Sequence, residues 1–235
     1  MYKGDKATLT VGNETIPMVF VGGGATVLAF SEVGHENLVY VFVPELVFMD
    51  GERAEDFAKD VLVEAYQSDP ANPYLPRVEY LRTAFVDGPE LGKVCKIFKM
   101  PHYRDLRMSD RKALVDMKIL HKLRADGMRQ IYDDYKCLTG NSPSMTFLGN
   151  AAAERTRELA VEKYSKKNPA MVAAIVHLEQ AIFNRGQAGL TFEFNKRNIG
   201  VDKAGNLVMR DPVYDSEITV KIKRDRRAKE HENAD

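Results

Sequence analysis

Short apolar runs bounded by turn residues occupy much of the first hundred positions of the chain. The runs rich in β-branched and aromatic residues lie at 18–21, 25–30, 38–43, 77–85 and 92–100. The triple glycine Gly22-Gly23-Gly24 separates the first two runs, and Asp87-Gly88-Pro89 separates the last two. Runs of this length between turn residues predict antiparallel strands joined by hairpins.

A second pattern, with apolar residues three and four positions apart, predicts helices. The segments with this spacing lie at 52–66, 110–124, 127–138, 151–165 and 169–184. A small sheet with one helix, followed after Pro101 by a mainly helical part, predicts an α+β protein with two lobes. The expected division is an N-lobe at 1–98, a helical C-lobe at 99–220 and a charged, flexible tail at 221–235.

Charge and cysteine usage exclude several classes of protein. The 34 Lys and Arg residues balance 34 Asp and Glu residues, which excludes a globally basic nucleic-acid-binding protein. Two cysteines are too few for a disulfide framework, so we expect a cytoplasmic protein. The uncharged stretch 15–31 contains a proline and three glycines, so we expect no membrane span and no membrane partner.

The basic tail is the one strongly charged segment. Residues 221–229 hold six Lys or Arg residues and one Asp. A solvated or disordered chain end accounts for this composition, and a contact with nucleic acid or with an acidic partner is the alternative. Any nucleic-acid contact is therefore expected only through this tail.

Candidate chemistry concentrates between residues 191 and 215. Glu193, Asn198 and Asp211 are polar, and two short apolar runs joined by a turn at 202–206 lie between Asn198 and Asp211. A hairpin brings its ends together, so these two side chains are expected to converge, and their oxygens suit Mg²⁺. From spacing alone, the alternative that these residues only cap turns stays open.

This segment, TFEFNKRNIGVDKAGNLVMRDPVYD, resembles the catalytic loop and the metal-binding turn of protein kinases, where an Asp, an Asn and a second Asp have the same spacing. Its Asp211-Pro212-Val213 turn is similar to that of the early serine/threonine protein kinases of short-tailed coliphages. The likeness spans 18–215 and is specific only over 190–215. It implies a protein-kinase-like two-lobed fold with a small antiparallel-sheet N-lobe and a minimal helical C-lobe.

The resemblance also implies cofactors and residue roles. Asn198 and Asp211 would hold Mg²⁺, and Glu193 would occupy the position of the catalytic base. Gly22, Gly23 and Gly24 would cover the phosphates of ATP with backbone N–H groups.

Two departures from the kinase pattern bear on activity. Glu193 replaces an aspartate and is one methylene longer, which misplaces its carboxylate. Val41 stands where the third strand should carry a phosphate-binding lysine, unless Lys96, Lys99 or Arg210 substitutes for it. The sequence therefore predicts a phage-type pseudokinase that binds a host protein in the host cytoplasm to redirect transcription or defence. The alternative is an active Mg-ATP-dependent serine/threonine kinase that phosphorylates host proteins.

Overall fold

The computed structural model describes residues 1–143 and 148–232 and has α+β architecture. The strands are β1 Lys6–Val11, β2 Glu14–Gly23, β3 Leu28–Glu32, β4 Leu38–Pro44, β5 Leu46–Val47, β6 Arg53–Ala54, β7 Glu79–Asp87, β8 Lys93–Pro101, β9 Arg104–Asp105, β10 Leu190–Phe192, β11 Gly200–Val201, β12 Leu207–Val208 and β13 Val213–Asp215. The helices are α1 Ala58–Ser68, α2 Arg111–Thr139, α3 Gly149–Tyr164, α4 Pro169–Arg185 and α5 Ser216–Glu232, with a 3-10 turn at Lys196–Asn198.

The chain forms two compact units. The barrel unit comprises Met1–Asp56, Arg77–His102 and Ile218–Asp235, and the helical unit comprises Phe57–Pro76 and Tyr103–Glu217.

Six antiparallel strands in the order β1-β2-β3-β4-β8-β7 close into a barrel in the first unit. Alternate side chains point inward, and three of them are aromatic rings in edge-to-face contact. The Phe20 and Phe30 centroids are 5.3 Å apart, and those of Phe30 and Phe42 are 5.7 Å apart. The other buried residues of this core are Leu9, Val11, Met18, Val86, Cys95 and Ile97. Residues 18–43 thus form consecutive antiparallel strands, as their pattern predicts.

The predicted kinase-like two-lobed fold is nevertheless wrong. Its N-lobe required a small sheet with one helix, whereas the sheet here closes because β1 pairs with β7 through Thr10 with Asp87 and Val11 with Val86. Strand β1, which the sequence prediction omitted, buries the alternate apolar side chains of Leu9 and Val11. Helix α1, assigned to the N-lobe, belongs to the helical unit.

Long helices make up most of the second unit. Asn168 caps α4 by accepting a hydrogen bond from the Met171 N–H at 3.2 Å, and Pro169 occupies its first turn. Helix α2 is a single 29-residue helix where the sequence predicted two. The predicted break at 125–126 is absent, and the adjacent Gly127 makes a close contact, since a Cβ there would lie 2.7 Å from the Thr156 hydroxyl of α3.

The predicted flexible tail also differs from the structure. Residues 216–232 form helix α5, whereas residues 233–235 lie outside the described residues. The Arg224 guanidinium donates to the Asp50 carboxylate at 2.8 Å, and the Lys221 ammonium donates to Glu52. These charges hold α5 within the barrel unit. No helix among residues 1–143 and 148–232 is long and apolar enough to cross a membrane.

Candidate functional site

The backbone of the helical unit brings the three predicted residues of the 191–215 segment together. Strands β10 and β13 pair antiparallel, and beyond their ends the Glu193 N–H donates to the Pro212 carbonyl at 2.7 Å. The Asp211 N–H donates to the Asn198 carbonyl at 3.0 Å. Glu193 and Asn198 therefore both contact the segment 211–212, and a single cluster contains all three residues.

A side-chain cap shapes the turn that presents Asn198. The Asn195 side-chain oxygen accepts from the N–H groups of Arg197 at 2.9 Å and Asn198 at 3.1 Å, which closes the 3-10 turn. The hairpin of β11 and β12 follows, and Gly205 at its tip has a φ of +86° that favours glycine. Local turn chemistry thus fixes the start of the segment between Asn198 and Asp211 and the tip of its hairpin.

The Asn198 amide joins Glu193 within the cluster. Its Nδ2 donates to the Glu193 carboxylate at 2.9 Å and to the Glu193 carbonyl at 3.2 Å. Both side chains are half-buried. Both bonds are made by Nδ2, so the Oδ1 atom of the same amide takes no part in them and can accept from, or coordinate, a further group.

Lys59 completes the cluster, although the sequence analysis did not single it out. Its ammonium donates to the Asp211 carboxylate at 2.7 Å. The Lys59 side chain is 5% exposed and that of Asp211 is 34% exposed. Helix α1 packs against α4 and β13, which places Lys59 at this site. The available signal was a lone lysine three residues before Leu62, at the border of the buried stripe of α1.

The predicted phosphate-covering glycines lie in the barrel unit. Gly22 and Gly23 end β2, where they pair with Ala29 and Leu28 of β3, and the Gly24 N–H donates to the Val27 carbonyl at 2.9 Å. They form a hairpin turn, as predicted from the sequence.

Two of the substitutes considered for the missing lysine, Lys96 and Arg210, have other contacts. Val41 is 4% exposed in β4. Lys96 lies 2.5 Å from the Glu55 carboxylate within the barrel unit. The Arg210 guanidinium contacts the Arg197 and Tyr103 carbonyls. None of these contacts involves the Asp211 carboxylate, which the Lys59 ammonium reaches directly.

The donor set suits one kind of metal ion. Within 1–143 and 148–232, no group of three or more His, Cys, Asp and Glu side chains is placed to hold a metal. A cage built wholly from such ligands is therefore not present there. Asp211 has a partly exposed carboxylate, and Asn198 has an amide oxygen that takes no part in the bonds to Glu193. Mg²⁺ commonly takes one or two such oxygens and completes its shell with water and substrate phosphates, so these residues fit it.

In comparisons with known proteins, no family model, no curated protein and no solved structure matches the chain. The function is therefore argued from the residues of the cluster itself.

Proposed function

We propose that the cluster of Lys59, Glu193, Asn198 and Asp211 binds a magnesium-nucleotide, and that the protein is kinase-like in this chemistry. The observation that supports it best is the buried Lys59 ammonium beside the partly exposed Asp211 carboxylate. Burying an ammonium costs several kcal/mol unless it is paired. A structural ion pair needs no solvent-accessible carboxylate, whereas a metal ligand does.

Each residue has a distinct part in this proposal. Asp211 and the Asn198 amide oxygen would hold Mg²⁺, which would neutralise charge on the nucleotide phosphates. Lys59 holds the Asp211 carboxylate in place and lowers the local negative charge when the metal is absent. Glu193 orients Asn198 through its carboxylate and its carbonyl.

Binding is better supported than turnover. The Glu193 carboxylate accepts a hydrogen bond from Asn198, which orients it within the cluster, and it is one methylene longer than the aspartate of the kinase pattern, which misplaces it for taking a proton from a substrate hydroxyl. We therefore propose a pseudokinase that binds nucleotide and a host protein in the host cytoplasm. An active serine/threonine kinase is the second candidate. Lys59 favours this candidate because its ammonium supplies a cation at the proposed site, although Val41 replaces the lysine that provides the cation in the kinase pattern.

Calorimetric titration of the purified protein with Mg-ATP tests nucleotide binding, and thermal unfolding provides an independent measure. A ligand at 100 times its dissociation constant stabilises the folded protein by about 2.7 kcal/mol. We expect Asp211→Asn to weaken binding at least tenfold. Asp134→Asn, a charge-matched change on the exposed side of α2, should leave binding unchanged. Absence of heat and of thermal shift at millimolar Mg-ATP would overturn the proposal.

Transfer of radiolabelled phosphate from ATP to host lysate separates the two candidates. The pseudokinase proposal expects background labelling and a stoichiometric lysate partner that Asp211→Asn retains. Labelling well above background that Asp211→Asn abolishes and Asp134→Asn preserves would instead establish the active kinase.

A further inference from the structure

Arg210 connects three chain segments directly beside the proposed site. Its Nε and Nη2 donate to the Arg197 carbonyl at 3.1 and 2.7 Å, and its Nη1 donates to the Tyr103 carbonyl at 3.3 Å. Its Nη2 also donates to the Asp105 carboxylate at 2.9 Å. We propose that Arg210 is a positioning residue that fixes the turn carrying Asn198 and thereby sets the affinity of the site for Mg²⁺. This inference rests on the proposed function.

The turn needs an external support because it is short. A 3-10 turn of three residues has poor internal hydrogen-bond geometry, and here it must hold the Asn198 amide toward Glu193. The Arg197 carbonyl immediately precedes Asn198, so two N–H groups on that one oxygen fix the peptide plane that leads into Asn198. Asn195 supports the same turn from its other end.

Only a guanidinium fits this arrangement. Four N–H···O bonds fan out in one plane to three acceptors, which a single ammonium cannot reproduce. Gly200 leaves the necessary room, because a Cβ there would lie 2.5 Å from the Tyr103 Cβ and 3.4 Å from the Arg210 Cδ. The close approach of β9 and β11 therefore brings the Tyr103 carbonyl within reach of Arg210.

The same contacts argue against a direct phosphate-binding role for Arg210. Its side chain is 26% exposed, and four of its N–H groups already have protein acceptors. Asp105 also compensates its charge, which would otherwise repel a cation bound at Asp211, the next residue along the backbone. Arg210 therefore affects the affinity for Mg²⁺ by fixing the position of Asn198.

Two readouts on the full chain test the role of Arg210. Outer-shell partners of metal ligands typically affect metal affinity 10–100-fold when they are removed. In calorimetric titrations of ATP at a series of Mg²⁺ concentrations, Arg210→Ala should raise the Mg²⁺ concentration for half-maximal binding by a factor in about that range. Binding of ATP without metal should change less than threefold. Arg210→Lys should behave like Arg210→Ala, whereas restoration by lysine would mean that charge alone matters and would overturn the proposal.

Hydrogen exchange without any ligand gives the second readout. Arg210→Ala should speed amide exchange at 196–199 by about tenfold or more, because the turn opens more readily. Lys118→Ala removes an exposed side chain of α2 and leaves the turn intact, so it should alter neither readout. Unchanged exchange in Arg210→Ala would overturn the positioning role. If the wild-type chain binds no Mg-ATP, the proposed function and the metal part of this inference fail together, and exchange alone decides about the turn.

Discussion

Neutralising either partner of the Lys59–Asp211 pair should destabilise the protein, but by unequal amounts. The two side chains are 2.7 Å apart, with 5% of Lys59 and 34% of Asp211 exposed. Asp211→Asn leaves an ammonium buried beside a neutral amide. Lys59→Met keeps most of the aliphatic stem and leaves a carboxylate that water still reaches.

The magnitudes follow from this asymmetry in burial. A charge left unpaired in the interior costs about 3–5 kcal/mol, which we expect for Asp211→Asn. A hydrogen bond to a charged group contributes about 1.5–3 kcal/mol, and the exposure of Asp211 reduces the loss in Lys59→Met to about 1–2 kcal/mol. The double variant Lys59→Met/Asp211→Asn should be about 2 kcal/mol more stable than Asp211→Asn alone, because it strands no charge.

Urea unfolding followed by circular dichroism measures these free energies, provided that the slope with denaturant is unchanged. Lys118→Met and Asp134→Asn make matched changes on the exposed side of α2 and should fall within about 0.5 kcal/mol of the wild-type chain. Equal losses in the two single variants that add in the double variant would refute the reasoning, because the two charges would then not be coupled.

Two further predictions concern the helical unit away from the cluster. Tyr74→Phe removes the donor to the buried Asp116 carboxylate at 2.8 Å and should cost about 1–3 kcal/mol in urea unfolding, whereas Tyr132→Phe, at an exposed hydrogen bond, should cost under about 0.5 kcal/mol. The Arg104 guanidinium lowers the pKa of Asp110 to about 2, so the pair stabilises the fold above the ordinary carboxyl pKa and loses this effect as pH falls toward 2. The stability difference between wild type and Asp110→Asn should therefore be largest near pH 7 and shrink between pH 4 and 2, and a constant difference in acid titrations of unfolding would contradict this.

Local signals in the sequence predicted individual elements but not how they combine. The strands within 18–43 and helix α4 have their own turns, caps and periodicity, so their prediction needed no tertiary information. Closure of the barrel depends on β1 pairing with β7, more than seventy residues away, for which no local pattern exists. A kinase-like sheet and a barrel share the same hairpins, and only this distant pairing distinguishes them.

Glycine and charge produced the other differences. A glycine at position 127 suggests a helix break, yet the helix continues there. The absence of a side chain allows the backbone of Gly127 to approach Thr156 of α3 closely. The basic residues of 221–229 have the composition of a solvated tail, yet Lys221 and Arg224 find carboxylates at Glu52 and Asp50. In each case the deciding partner is remote in sequence.

The contact of Lys59 with Asp211 is also one between residues remote in sequence, and it removes one of the two reasons for expecting an inactive protein. Two departures from the kinase pattern, Val41 and Glu193, predicted an inactive protein. The prediction from Val41 assumed that the cation at the phosphate site must come from the third strand. Electrostatics depends on where an ammonium lies and not on which element carries it. Because α1 brings the Lys59 ammonium to the Asp211 carboxylate, the case for an inactive protein now depends on Glu193 and on its hydrogen bond from Asn198.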